Sequence, residues 1–166
     1  TDQTLVVQLE DRDLHAQVRG ERYVLEQLRF QHPVLERIDG LQPDMAVQLH
    51  HRSESGRMLI VQVLMVAGET PSDFVSTVWG NLALERNAAY RPGVELDLAQ
   101  LVPADPSHYL YAGSLTTPPC TEGVTWVVMR TPRALSAAQR DLYARMFPVS
   151  ARPPQPVHDR RVLLGR

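Results

Sequence analysis

The segment from Met58 to Val66 is almost continuously apolar. A short run of this kind is expected of a strand whose two faces are both buried, because a half-exposed strand alternates apolar and polar residues. Such a strand needs hydrogen-bonded neighbours on both sides and other elements packed above and below it. This segment therefore predicts that the chain folds around the centre of a large β-sheet.

Shorter runs of alternating or β-branched residues flank this central segment, with polar turns between many of them. A period of two residues is typical of strands. The runs predict strands at 4–9, 14–18, 23–30, 45–51, 124–129 and 162–164. The chain is therefore predicted to be mainly β.

Two helices are predicted outside these strands. The first opens at 70–72, with a proline at an early position, and runs to about Leu82. The second ends at Met146, and its start is marked by Ser136 and Gln139, which have the spacing of a capping box. Both helices are short, which suits elements at the periphery of a sheet.

The composition limits the class of protein. With 166 residues, of which 43% are hydrophobic and 22% charged, the chain can bury the core of one globular domain. Its 17 basic and 19 acidic residues give a formal net charge of −2, so no overall positive field attracts nucleic acid. No apolar run reaches the roughly 20 residues that cross a bilayer, which predicts no membrane insertion.

One segment is far more specific than the composition. Residues 111–126 read YAGSLTTPPCTEGVTW, which is similar to the signature of the α-class carbonic anhydrases. Residues 23–31 of this chain resemble the family's strand that carries two zinc histidines, and residues 45–51 resemble the strand that carries the third. Residues 152–156 resemble the family's C-terminal segment. The resemblance extends over essentially the whole chain, but the family's N-terminal segment has no counterpart before Thr1.

This resemblance implies a mainly β fold with a mixed, largely antiparallel sheet and peripheral helices. It also implies one carbonic anhydrase-like domain, residues 1–166, that lacks the family's N-terminal segment. Without the first strand of that segment, one edge of the sheet would be exposed. A second copy of the chain or a larger host protein could then cover the edge.

The zinc site of the resembled family needs three neutral imidazoles and one open coordination position. The matching positions here hold Arg29, Gln31 and Gln48. A guanidinium cannot deprotonate to bind a metal, and an amide oxygen is a poor zinc ligand beside an imidazole. The resemblance therefore predicts that metal binding is lost and that no cofactor is used.

The residues that support the zinc ligands in the family are also changed. One carboxylate position matches Leu35 and the other matches Ala46, while the active-site threonine is kept as Thr116. The position of the proton-shuttle histidine matches Gln3. No catalytic residue is therefore predicted.

The resemblance also predicts which side chains form the wall of the family's cleft. Beside the three former ligand positions, these are Gln27, His50, Val63, Leu115, Thr116, Thr117 and Trp126. Arg29 among amides and a histidine suits a pocket for an anion or a carboxylate. An equally open interpretation is a polar plug, in which Arg29 and the glutamines satisfy one another and nothing binds.

The other histidines are not expected to rebuild a metal site. His51 and His32 should point to the opposite faces of their strands from His50, with His51 a hydrogen-bonded interior residue. The remaining ones are expected in loops or on the surface, at His15, His108 and His158.

The predicted function is that of a pseudoenzyme, a silent carbonic anhydrase-related module that binds a protein or a glycan, self-associates or joins a larger assembly. Two alternatives stay open: a small-anion or carboxylate-binding domain that uses Arg29, and residual or altered lyase (carbonate dehydratase) activity with a non-standard metal site. The resemblance favours a periplasmic or extracellular location, although no signal peptide is seen. Cys120 is the only cysteine, so it is either a free thiol or the partner of a segment outside this sequence.

Overall fold

A computed structural model of the chain describes residues 4–81, 95–116, 119–148 and 160–165. These residues form a nine-stranded sheet. The strands are β1 (Val6–Gln8), β2 (His15–Val18), β3 (Glu21–Gln31), β4 (Met45–Ser53), β5 (Met58–Gly68), β6 (His108–Ser114), β7 (Glu122–Met129), β8 (Arg133–Ser136) and β9 (Leu163–Gly165). The helices are α1 (Asp73–Gly80) and α2 (Ala137–Met146), and Leu98–Gln100 form a 3₁₀ turn.

The strands follow the order β1-β3-β4-β5-β7-β6-β9, while β2 pairs with β3 and β8 pairs with β5. Only the pairs of β5 with β7 and of β5 with β8 are parallel, and the other pairs between these strands are antiparallel. The predicted mainly β fold, with a mixed, largely antiparallel sheet and peripheral helices, is confirmed. The apolar segment at β5 lies between β4 and β7, as a strand buried on both faces must.

One face of the sheet packs against α1 and α2 and forms the main core. Phe30 of β3, Val47 of β4 and Val63 of β5 lie on this face, and all three are fully buried. Phe74 of α1 and Tyr143 of α2 pack onto them from the helices. Because side chains alternate along a strand, the residues between these positions face the other side of the sheet.

Gln139 joins the two helices above this core. The predicted capping box is present, since Ser136 Oγ accepts a hydrogen bond from Gln139 N at 3.1 Å and Gln139 Oε1 accepts one from Ser136 N at 3.0 Å. The same amide binds the N-cap of α1: Gln139 Oε1 accepts from Ser72 N at 2.9 Å and Nε2 donates to Ser72 O at 3.0 Å. One side chain therefore satisfies the first turns of both helices.

Two strands and one helix start differ from the sequence prediction. β6 and β8 were missed, because prolines lie near both and β8 takes its hydrogen bonds from β5, which is far away in the chain. Ser72 is the N-cap of α1, so the proline at position 71 precedes the helix and does not open it. The helix ends at Gly80, and Leu82, the predicted end, lies outside the described residues. Within the described ranges, no helix is long and apolar enough to cross a membrane.

Candidate functional site

The candidate site lies on the face of the sheet opposite the helices, where β3, β4 and β5 run side by side. Arg29 pairs with Gln48 across β3 and β4, and Gln48 pairs in turn with Gln62 of β5. Gln31 follows Arg29 by two residues on β3, and His50 follows Gln48 by two residues on β4, so both point to the same face. The sheet thus brings five polar side chains together in the middle of a largely apolar fold.

Gln48 is the centre of a hydrogen-bonded network on this face. Its Nε2 donates to Gln31 Oε1 at 2.8 Å and to Gln62 Oε1 at 3.3 Å. Its Oε1 accepts from His50 Nε2 at 3.1 Å. Gln48 is only 2% exposed, so each of these bonds replaces hydration that the side chain has lost.

Sequence reasoning missed Gln62, although the sequence contains a signal for it. Gln62 is the one polar residue between Met58 and Val66, and it is buried. A buried amide within an apolar strand needs a polar partner, which here is Gln48. Its position also fixes which residues of β5 face the site.

His50 is held as the neutral imidazole. Burial, followed by the positive charge of Arg29 and by His51, lowers the pKa of His50 from 6.5 to about 3. Gln48 Oε1 can only accept, so the proton of the neutral ring is on His50 Nε2. His50 Nδ1 is therefore a hydrogen-bond acceptor, and it is buried with no partner among the described residues.

The two other polar residues of the cleft supply a charge and a donor. Arg29 is a partly buried residue that lies opposite Gln48 in the register of β3 and β4, on the same face as His50, and its positive charge contributes to the lowered pKa of His50. Gln31 is buried, and its Nε2 finds no acceptor within the described part of the chain. Gln27, also predicted in the cleft, accepts a hydrogen bond from Gln8 Nε2 at 3.2 Å.

An apolar wall borders these polar residues. Trp126 of β7 packs with Ile60 of β5 and with Leu115, and its Nε1 donates to Ser114 O at 3.0 Å. Tyr111 stacks on the ring of Trp126 at a centroid distance of 6.3 Å. Leu115 and Trp126 were predicted here, whereas Ile60 and Tyr111 were missed.

Several predicted cleft residues lie elsewhere or cannot be placed. Val63 was predicted in the cleft wall, but it belongs to the main core on the opposite face. The residue of β5 that packs with Trp126 in the apolar wall is Ile60. The reason is the period of the strand, because Val63 is an odd number of residues from Gln62. Thr116 is partly buried next to Leu115, and Thr117 lies outside the described residues.

The positions of the two missing carboxylates differ in environment. Ala46 is fully buried beside the site, opposite Gln31, and packs with Val34. Leu35 is 38% exposed, so its side chain adds little to the cleft. Gln3, which matches the proton-shuttle position, lies outside the described residues.

The other histidines lie outside the network. His51 is buried on the opposite side of β4 from His50, with Nδ1 against Leu49 O at 2.8 Å, and burial lowers its pKa. His32 Nδ1 lies 2.8 Å from Asp44 O. His15 is exposed, although it lies on β2 and not in a loop, and His158 is outside the described residues. His108 is partly buried at the start of β6.

Comparison with known proteins identifies the family. Residues 3–165 match the family described as eukaryotic-type carbonic anhydrase. A carbonic anhydrase of Nostoc sp. strain PCC 7120 is 37% identical, over 86% of this chain and 54% of the relative. One of Neisseria gonorrhoeae is 33% identical, over 88% of this chain and 58% of the relative. The chain belongs to the α-type carbonic anhydrase family, and it spans little more than half the length of these relatives.

Solved structures agree with this assignment. The α-carbonic anhydrase of Photobacterium profundum superposes with a TM-score of 0.88 at 29% identity, covering 96% of this chain and 73% of that one. Dioscorin in complex with ascorbate superposes with a TM-score of 0.83 at 26% identity, covering 99% and 71%. Dioscorin DB3S of Dioscorea polystachya is also similar in sequence, at 33% identity over 84% of this chain and 54% of the relative.

Two expectations drawn from the resemblance are wrong in the light of these comparisons. The chain was expected not to be an enzyme, but relatives at 30–37% identity are named carbonic anhydrases, which points to an enzyme. No cofactor was expected, but members of the family normally use zinc. The comparisons thus place the chain in a family of zinc enzymes.

The cleft residues of this chain nevertheless do not fit a zinc ion. A guanidinium at Arg29 has no free lone pair for a metal, and the amide oxygen of Gln48 already accepts a hydrogen bond from His50. Within the described residues, no group of three or more His, Cys, Asp or Glu side chains is placed to hold a metal. The function proposed for this cleft therefore does not depend on zinc.

Acidification is expected to destabilise the fold through His50. Its folded pKa of about 3 lies below the ordinary value of 6.5, so the unfolded chain binds a proton that the folded chain excludes. The stabilisation is complete above about pH 6.5 and is lost as the pH falls toward about 3. From about pH 7 to about pH 5 the loss should be about 2 kcal/mol.

Urea unfolding at several pH values, with the chain and a His50→Gln variant, measures this effect. The pKa of His51 is also lowered by burial, so it contributes in the same direction and is present in both proteins. The variant should therefore lose less free energy of unfolding on acidification than the parent does. An equal loss in both proteins would contradict the prediction.

Proposed function

We propose that the cleft of this carbonic anhydrase family member binds a small carboxylate or a similar oxyanion, with Arg29 as the cation that anchors it. The observation that carries the proposal is the buried Nε2 of Gln31, a donor with no acceptor among the described residues, on the same face of the sheet as the permanently charged, partly buried Arg29. A guanidinium and an amide N–H both donate hydrogen bonds, and an anion supplies the acceptors.

The electrostatics of the cleft support an anion over a cation. Arg29 is positively charged at any physiological pH. His50 stays neutral in the same range, so the charge of the site does not change with pH there. The side chains of Gln31, Gln48 and Gln62 are uncharged amides, so they do not repel a negative ligand. Among the similar structures, dioscorin is complexed with ascorbate, which is an organic anion.

The alternative of a closed polar plug is less well supported. In a plug, the side-chain amides form hydrogen bonds with one another, so every buried donor and acceptor has a partner within the network. Here Gln31 Nε2 and His50 Nδ1 are both buried and both lack a partner in the described part of the chain. Such groups typically cost about 1–3 kcal/mol each, and a bound ligand would remove that cost.

Substitution of Arg29 tests the proposal. Acetate and formate, titrated into the chain, should raise its melting temperature, because a ligand that binds the native state alone stabilises it by about 2.7 kcal/mol at a hundred times its Kd. In Arg29→Gln this rise should disappear. Arg12→Gln, an exposed arginine in the turn before β2, is the matched control and should keep the rise.

An equal rise in melting temperature for Arg29→Gln and for the parent chain would overturn the proposal. Calorimetric titration of the folded variants provides a second measurement that does not depend on their stability. It should show heat of binding for the parent and for Arg12→Gln, and none for Arg29→Gln.

Carbonate dehydratase activity of the whole protein is the second candidate function. The names of relatives at 30–37% identity favour it. It requires a site other than the three side chains at Arg29, Gln31 and Gln48, since these do not fit zinc. A CO₂ hydration assay on the chain, and on any longer form of the protein, tests it directly. The protein or glycan partner and the role in assembly stay predictions from the resemblance.

A further inference from the structure

Resting on the anion-binding function proposed above, we infer that the ligand carries a hydroxyl group beside its carboxylate, as a small α-hydroxy acid does. Arg29 holds the carboxylate, and His50 Nδ1 accepts a hydrogen bond from the hydroxyl. The observation that leads to this class of ligand is a buried acceptor and a cation close together on one face of the sheet.

The neighbours of Gln48 determine how its amide is oriented. Its Nε2 donates to two oxygens, Gln31 Oε1 at 2.8 Å and Gln62 Oε1 at 3.3 Å. The other atom of the amide, Oε1, is therefore the one that faces His50 Nε2 at 3.1 Å. With Gln31 Oε1 and Gln62 Oε1 facing Gln48, a flip of Gln48 alone would place its oxygen against two other oxygens, so these two neighbours set its orientation.

The hydrogen bond to Gln48 determines which nitrogen of His50 carries the proton. With the proton on Nε2, the lone pair of Nδ1 is available as an acceptor. His50 is 4% exposed, and Nδ1 has no hydrogen-bond partner among the described residues. A ligand that donates to Nδ1 removes the cost of burying that atom, so the site favours a donor at this point.

The group of the ligand that faces His50 Nδ1 must be an uncharged hydrogen-bond donor. A carboxylate at neutral pH has only acceptor oxygens, so it cannot bind His50 Nδ1. An ammonium could donate, but Arg29 is close enough to disfavour a positive charge on the imidazole, and it disfavours a ligand cation for the same reason. A neutral hydroxyl is the donor that this environment accepts.

The register of β3 and β4 sets the separation of Arg29 and His50. Arg29 and Gln48 are directly opposite in the register of β3 and β4, and His50 is the next residue of β4 on that face. Diagonal neighbours on one face of a sheet lie about 7–8 Å apart at the backbone, within reach of long side chains. A compact ligand with a carboxylate and a hydroxyl on adjacent carbons can therefore bind Arg29 and His50 together.

Glycolate and acetate are the matched probes, because they differ only by the hydroxyl group. Calorimetric titration of the chain should give a Kd for glycolate about tenfold lower than that for acetate, as one buried hydrogen bond predicts. In His50→Phe, which keeps a planar ring but has no acceptor, the two Kd values should become equal. Equal values in the parent chain would overturn the inference.

The nitrogen chemical shifts of His50 give a second measurement in the parent chain, should the variant fail to fold. A non-protonated imidazole nitrogen that accepts a hydrogen bond changes its shift, so glycolate should move the Nδ1 resonance and acetate should not. The same resonance change with both probes would contradict the inference.

The two proposals fail in distinguishable ways. If neither acetate nor glycolate binds through Arg29, the anion-binding function itself is wrong. If both bind with equal Kd and both depend on Arg29, the function stands and the hydroxy-acid ligand is wrong.

Discussion

Replacing Phe30 with alanine is expected to lower the free energy of unfolding by about 3–5 kcal/mol, because it opens a cavity in the main core. Phe30 is fully buried, and its ring lies 4.9 Å from that of Trp79 and 6.3 Å from that of Tyr143. Tyr143 OH also donates to Phe30 O at 2.9 Å, so this residue joins β3 to α2 through both side chain and backbone. Urea unfolding followed by tryptophan fluorescence measures the loss.

The matched control is Phe30→Leu, which keeps much of the buried volume. It should lose roughly half as much free energy as the alanine variant, because a smaller cavity remains. Phe30 O is a backbone atom, so the hydrogen bond that it accepts from Tyr143 OH is present in both variants. A loss below about 1 kcal/mol in Phe30→Ala would mean that α2 does not pack on β3 as described.

The sheet could be predicted from the sequence because its main strands have distinct local patterns. Apolar and polar residues alternate along β3 and β4, whereas β5 is almost continuously apolar. These patterns are typical of strands with one and with two buried faces, respectively. β8 has four residues, and its backbone pairs with the far end of β5. Such an element depends on a distant partner, and no local pattern in four residues can show it.

The capping of α2 was predictable for a different reason. Ser136 and Gln139 interact within one turn, so their spacing alone determines the bonds. The bonds from Gln139 to Ser72 join residues that are far apart in the chain. The sequence could suggest the cap but not that one amide would serve two helices.

The site shows the same division between local and distant information. The resemblance correctly predicted that Arg29, Gln31 and Gln48 lie on one face of the sheet. Because β5 is almost continuously apolar, its sequence does not show by alternation which of its residues lie on that same face. Gln62 was the marker, because residues at even spacing from it, such as Ile60, must point the same way. Counting from Gln62 would have excluded Val63. The hydrogen-bond state of His50 depends on the orientation of the Gln48 amide, which no sequence pattern contains.

Replacing Gln48 with leucine is expected to lower the free energy of unfolding by about 3 kcal/mol or more. The variant removes the partner of three buried groups at once: Gln31 Oε1, Gln62 Oε1 and His50 Nε2. Each group left buried without a partner costs about 1–3 kcal/mol. Denaturant unfolding gives the loss, and Gln62→Leu, which breaks only the 3.3 Å bond to Gln48, should cost clearly less.

The stronger test replaces the members of the network together. If the cost of Gln48→Leu comes from stranded polar groups, a variant that also carries Gln31→Leu, Gln62→Leu and His50→Leu should recover much of the lost stability. This is because removal of all four polar side chains leaves none of the network's own groups buried without a partner. The same variant should bind glycolate no more tightly than acetate, since the acceptor at His50 is gone while Arg29 remains. A network retained for folding alone would instead leave the combined variant as unstable as Gln48→Leu, so this one comparison separates a role in stability from a role in ligand binding.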